Sequence, residues 1–70
     1  MKDRADIRFR LIAAGVRNLK KFGYPDVDEK SILTDYVFKA FFRKMLEESG
    51  PHEGPAVKAA RAALLAEIGD

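Results

Sequence analysis

Cysteine is absent from this 70-residue chain and histidine occurs once. Without thiols, neither disulfides nor a thiolate zinc site can brace the fold. The absence says little about compartment, although it suits a reducing cytosol. The lone His52 lies in the Gly/Pro-rich stretch SGPHEGP beside Glu53. A zinc site built by one chain wants more nitrogen or sulfur ligands than that, and acid–base chemistry wants positioned partners, so a solvated loop histidine is expected. No apolar run approaches the roughly 18 residues of a membrane span. The opening segment MKDRADIRFR is charged and lacks the continuous apolar region of a signal peptide. A soluble cytoplasmic protein that does not engage membranes is therefore expected. Nucleophile-elbow, phosphate-loop and HExxH motifs are missing, and Ser31 and Ser49 have no evident base partner. These absences predict a protein that is not an enzyme and carries no cofactor and no metal.

The hydrophobic fraction, 47%, is that of a folded chain. Seventy residues make one domain at most, here taken as 1–70. A chain of this size buries only about 60% of the surface its unfolded form exposes, so a second copy or a partner could add to its stability. Net charge is +2, which names no partner, but its distribution is uneven. Residues 1–22 hold seven basic and two acidic residues, 23–50 hold four and six, and 51–70 hold two and three. The basic first third is either the complement of the acidic remainder or a docking helix.

Periodicity predicts an all-α fold, a compact bundle of three main helices with one additional short helical turn, at about 6–22, 29–33, 35–49 and 56–68. In the first helix Leu11, Ile12, Gly15, Val16, Leu19 and Phe22 share a side, with Asp6 as a candidate N-cap. Gly15 on that side points to a close helix crossing. Gly23 stands where a left-handed C′ residue is wanted, and Pro25 bars continuation. Asp26 with Glu29 resembles a capping box, Asp28 is a second candidate cap, and Thr34 or Asp35 can cap again, so a break near Thr34 is expected. A single helix over 28–49 is the alternative. In the central helix Val37, Phe38, Phe41, Phe42, Met45 and Leu46 cover about half the circumference, wider than a one-sided stripe. The last helix opens on Pro55 and carries a narrow stripe of Val57, Ala60, Leu64 and Ile68, with alanines on another side. The expected core is Leu11, Ile12, Val16, Leu19, Phe22, Leu33, Val37, Phe38, Phe41, Met45, Leu46, Val57, Leu64 and Ile68.

Several clusters invite a functional reading. The acids Asp26, Asp28 and Glu29 have the first alternation of a calcium loop, but isoleucine and leucine stand where its glycine turn belongs, and helix capping accounts for them. The aromatics Tyr36, Phe38, Phe41 and Phe42 could stack nucleobases, but at helical spacing with Val37, Met45 and Leu46 they read as core. Arg10, Arg17, Lys20 and Lys21 lie within about 100° of arc on the first helix, opposite Leu11 and Leu19, and form the candidate partner-binding face. That face could meet phosphates, meet an acidic protein patch, or simply be solvated. A helix-turn-helix does not fit: the connection before the last helix is too long, and that helix offers only Lys58 and Arg61 as bases. Phe42 and Leu46, at one margin of the central stripe, are expected to lie uncovered and to bind a partner. With the alanine side of the last helix (Ala59, Ala62, Ala63, Ala66) they would form a homodimer interface.

The segment LKKFGYPDVDEKSILTDYVFKAFFRKMLEES covers about half the chain. Its Leu19, Phe22 to Pro25, Ile32 to Asp35, Phe41, Phe42, Met45 and Leu46 form a pattern similar to that of small proteins of unassigned function from phages and prophages. The resemblance implies no catalytic residues and points to a small accessory module that binds an unidentified protein, modulating a host protein complex. The alternative is an electrostatic nucleic-acid binder using the basic face of the first helix.

Overall fold

A computed structural model of the protein describes residues 4–48 and 53–69. Four helices follow one another: α1 (Arg4–Lys21), α2 (Ser31–Thr34), α3 (Tyr36–Glu47) and α4 (Pro55–Ile68). No strand occurs among the described residues. The fold is an all-α bundle in which α1, α3 and α4 pack together and the short α2 bridges α1 and α3. Ser49 and His52 lie outside the described residues.

Each boundary has a local cause. Helix α1 already includes Arg4, so Asp6 is not its cap; its carboxylate instead sits 3.4 Å from Arg10, one turn on. At the other end Tyr24 N–H donates to the Leu19 carbonyl and Gly23 N–H to that of Lys20, both at 3.1 Å. This is a Schellman closure. It needs the left-handed backbone that Gly23 supplies at φ 106°. The reciprocal pair in the turn leading into α2 is Asp28 with Ser31, not Asp26 with Glu29, while the flanking Lys30 makes no side-chain cap bond. Ser31 N–H donates to Asp28 Oδ1 (2.7 Å), and Asp28 N–H donates back to Ser31 Oγ (2.8 Å). The chain breaks at Asp35, whose extended backbone (ψ 132°) ends α2 and whose Oδ1 accepts from Val37 and Phe38 N–H to start α3. Two helices, not one, therefore cover this region.

The core is built from Ile12 and Leu19 on α1, Val27 in the connection, Ile32 on α2, Phe42 and Leu46 on α3, and Ala60, Leu64 and Ile68 on α4. Leu11, Val16, Leu33, Phe38, Met45 and Leu65 are half-buried against it, and Val57 is half-buried on α4. Phe22 (73% exposed), Val37 (47%) and Phe41 (42%) are corrections to the expected core. The apolar arc of α3 is too wide for its neighbours to cover. They cover the Phe42–Leu46 margin and leave the Val37–Phe41 margin to solvent. Close approach at Gly15 makes this possible: a methyl built there would stand 2.7 Å from Cδ1 of Phe42 and 2.8 Å from Cδ1 of Ile32.

One guanidinium ties α3 to α4. Arg61 Nε and Nη2 hold the Glu53 carboxylate at 2.6–2.9 Å, and Nη1 donates to the Met45 and Leu46 carbonyls at 3.2 Å. Those carbonyls belong to the last turn of α3, where the Glu48 N–H also reaches the Met45 carbonyl at 3.2 Å. The pair is mostly sheltered from solvent, so a charge-assisted bond there is stronger than a surface contact.

Candidate functional site

The exposed margin of α3 and the end of α1 enclose a groove of about 270 Å³. Gly15 and Leu19 line it from α1 and Phe42 and Met45 from α3, with Phe22 and Phe41 at the mouth. Its polar lining is limited to Asn18, Lys44 and Glu48. The Asn18 amide is already engaged, donating to Met45 Sδ at 3.3 Å.

The aromatic mouth follows from the turn after α1. Phe22 precedes the left-handed Gly23 and Tyr24 follows it, so both rings are carried to the same end of the bundle. Phe22 and Phe41 lie 6.2 Å apart between centroids, tilted by 31°. Tyr24 packs edge-on against Phe38 at 5.7 Å and lies tilted by 54° against Phe41 at 5.8 Å. Such tilted and edge-to-face pairs hold one another in place. The result is a firm apolar surface, with Phe22 its most exposed ring.

The sequence-derived site residues do not assemble into one site. Arg10, Arg17, Lys20 and Lys21 are all exposed on α1, as expected of a solvated or docking face. Arg10 is committed in part to Asp6. Arg17, Lys20 and Lys21 make no ion pair among the described residues. Phe42 and Leu46 are corrected: each is only 1% exposed, held under α1 and α4, and neither can be an uncovered interface. The homodimer surface expected there loses its large residues. What remains of it is the alanine side of α4, where Ala59, Ala62, Ala63 and Ala66 are exposed.

Phe22 and Phe41 are the interface candidates that sequence reasoning assigned to the core. A signal for Phe22 was present: it occupies the residue just before the helix-ending glycine, where the chain already leaves the helix face. No comparable signal marked Phe41. Among the described residues no three His, Cys, Asp or Glu side chains gather where they could hold a metal ion, and no helix is long and apolar enough to cross a membrane. The Asp28 carboxylate is spent on its cap, and the bond from Ser31 N–H, with the Ser31 hydroxyl second, holds its pKa below the usual carboxylate value. No protein-family model, no curated protein and no solved structure matches the chain.

Proposed function

We propose that this chain is a small non-enzymatic accessory module that binds a protein through the aromatic mouth of the α1–α3 groove. One observation carries the reading: Phe22 and Phe41, two of five phenylalanines, stand 73% and 42% exposed at the rim of an apolar groove. A chain this small has little apolar surface to spare, and an exposed apolar patch with a defined shape is ordinarily an interface. The likeness of the Leu19–Leu46 segment to small phage and prophage proteins supports an accessory role, exercised in the cytoplasm on a host protein complex. The test is affinity capture from nuclease-treated lysate with the wild type and with a Phe22→Ser/Phe41→Ser variant whose fold is checked by circular dichroism. A partner held by the wild type and lost by the variant is the expected result. Equal capture by both proteins, or capture that disappears with nuclease, defeats the reading.

A second reading rests on Arg17, Lys20 and Lys21, exposed and without ion pairs among the described residues. They would contact phosphates electrostatically. Duplex binding that weakens steeply between about 50 and 200 mM salt, and that Lys20→Glu/Lys21→Glu abolishes, is its signature.

A further inference from the structure

Resting on the reading that this groove receives apolar side chains of a protein, we propose that Met45 is a reversible oxidation site. Its conversion to the sulfoxide by a hydroperoxide closes the α1–α3 groove to those side chains.

Met45 is half-buried and lines the groove, so a small oxidant can reach it. It is the one methionine among the described residues. Its sulfur is held from the opposite wall: Asn18 Nδ2 on α1 donates to Met45 Sδ on α3 at 3.3 Å. A thioether is a weak acceptor, so a full amide donor is engaged with a poor partner. Oxidation turns that sulfur into a polar group with the donor already beside it.

The neighbouring layer of the helix contact decides what the added oxygen does. Gly15 lies one turn before Asn18, and Phe42 one turn before Met45. There the helices approach so closely that a methyl on Gly15 would stand 2.7 Å from Phe42 Cδ1. Close-packed layers of this kind do not slide apart freely. An N–H···O bond alone spans about 2.9 Å, nearly the whole 3.3 Å that separates nitrogen from sulfur. The oxygen cannot be inserted on that line, so the sulfoxide must swing or displace the Asn18 amide. Either movement sets a polar group among Leu19, Phe22, Phe41 and Phe42, the apolar lining of the groove. A polar group there opposes the entry of hydrocarbon.

The oxidation balances with the hydroperoxide as its one co-reactant. A sulfur lone pair attacks a peroxide oxygen, an S–O bond forms and the O–O bond breaks. The departing oxygen takes the peroxide proton and leaves as water or an alcohol. Sulfur gives up two electrons and the peroxide gains them. The two lone pairs of this sulfur are not equivalent, because the Asn18 amide covers one. Oxygen transfer therefore favours one sulfoxide epimer, and each epimer has its own reductase.

The test treats the folded full chain with hydrogen peroxide and locates the added oxygen by peptide mass spectrometry, which separates Met45 from Met1. Met45 is expected to oxidise within about tenfold of its rate in the urea-unfolded chain, as an accessible thioether does. One epimer should exceed the other at least about threefold, read with the two stereospecific sulfoxide reductases, and Asn18→Ala should bring them to parity. Nile red probes the groove. The oxidised protein and Met45→Gln should bind it at least about fivefold more weakly than the reduced protein. Met45→Leu should keep its affinity through peroxide treatment, and reductase should restore that of the oxidised wild type. Helical circular dichroism should stay unchanged throughout. Protection of Met45, equal epimers in the wild type, or a bias that survives Asn18→Ala overturns the proposal. So does Nile red binding that is absent from the reduced protein, unmoved by oxidation or not restored by reductase, and so does loss of helical signal on oxidation. If cellular capture depends on Phe22 and Phe41 but is equal for the reduced and oxidised proteins, the protein-binding reading stands and this proposal falls. If Nile red responds to oxidation while capture ignores Phe22 and Phe41, the oxidation site stands and the protein-binding reading falls.

Discussion

A methyl group added at Gly15 would meet the Phe42 ring and the tip of Ile32, both fully buried. Alanine gains about 1 kcal/mol of helix propensity over glycine, whereas overpacking a tight core costs about 1–3 kcal/mol. The clash should win: Gly15→Ala is expected to lower stability by roughly 1–2 kcal/mol, measured as a shift in urea midpoint. Gly23 is the opposite case, because a methyl there meets nothing within 4 Å. Its cost is conformational, from holding an L-residue at φ 106°, and Gly23→Ala should lose about 1–2 kcal/mol. The two variants differ in kind. Gly15→Ala should disturb the Phe42 ring resonances, while Gly23→Ala should perturb Phe22 and Tyr24 at the groove mouth. A stabilised Gly15→Ala protein would mean that α1 does not cross α3 there.

At the scale of elements, capping was the part of the fold most open to sequence reading. The break at Asp35 and the glycine closure of α1 follow from side chains and backbone within a few residues. Of the two candidate caps ahead of α2, Asp28 is the one that bonds Ser31, and Val27 beside it is buried in the core. That burial depends on contacts distant in sequence, and nothing in DVDEKS announces it. The margin of α3 chosen for burial is a long-range matter too: Phe41 and Phe42 are both phenylalanines on one apolar arc, and only the positions of α1 and α4 separate them. Phe42→Ala should therefore cost about 3–5 kcal/mol, and Phe41→Ser about 1 kcal/mol or less. Thermal melts of the two variants check this, and similar losses for both would deny the exposed margin. Asp28 adds a pH signature. Its folded pKa is depressed by the Ser31 bonds, so its contribution is present above the unfolded value of about 3.9 and is lost as pH falls through the folded one. Between about pH 5 and pH 2.5 the wild type should lose more melting temperature than Asp28→Asn. Parallel curves would show that the cap is uncoupled from folding.

Across the whole molecule, the basic-to-acidic gradient of the sequence ends up partly as specific pairing: Arg8 of α1 meets Glu67 of α4 at 2.7 Å. That contact is half-exposed and of the kind that contributes little. The sheltered Arg61 is different, and its role was not legible, because an arginine in an alanine-rich helix looks like a solubilising residue until Glu53 and the α3 carbonyls are placed around it. Arg61→Ala should cost roughly 2–3 kcal/mol, because it removes the guanidinium from the Glu53 carboxylate and from the Met45 and Leu46 carbonyls. The same guanidinium fixes where the backbone can be opened. It grips Met45 and Leu46 on one side of residues 49–52 and Glu53 on the other, so both flanks of that connection are anchored whatever its length. An insertion of about ten glycine and serine residues after Pro51 should then cost little beyond loop closure, under about 1 kcal/mol in urea midpoint. The same insertion in Arg61→Ala should cost visibly more. A reporter peptide or fluorophore can thus be spliced into the chain one helix end away from Glu48, close enough to sense the groove filling while the bundle stays shut.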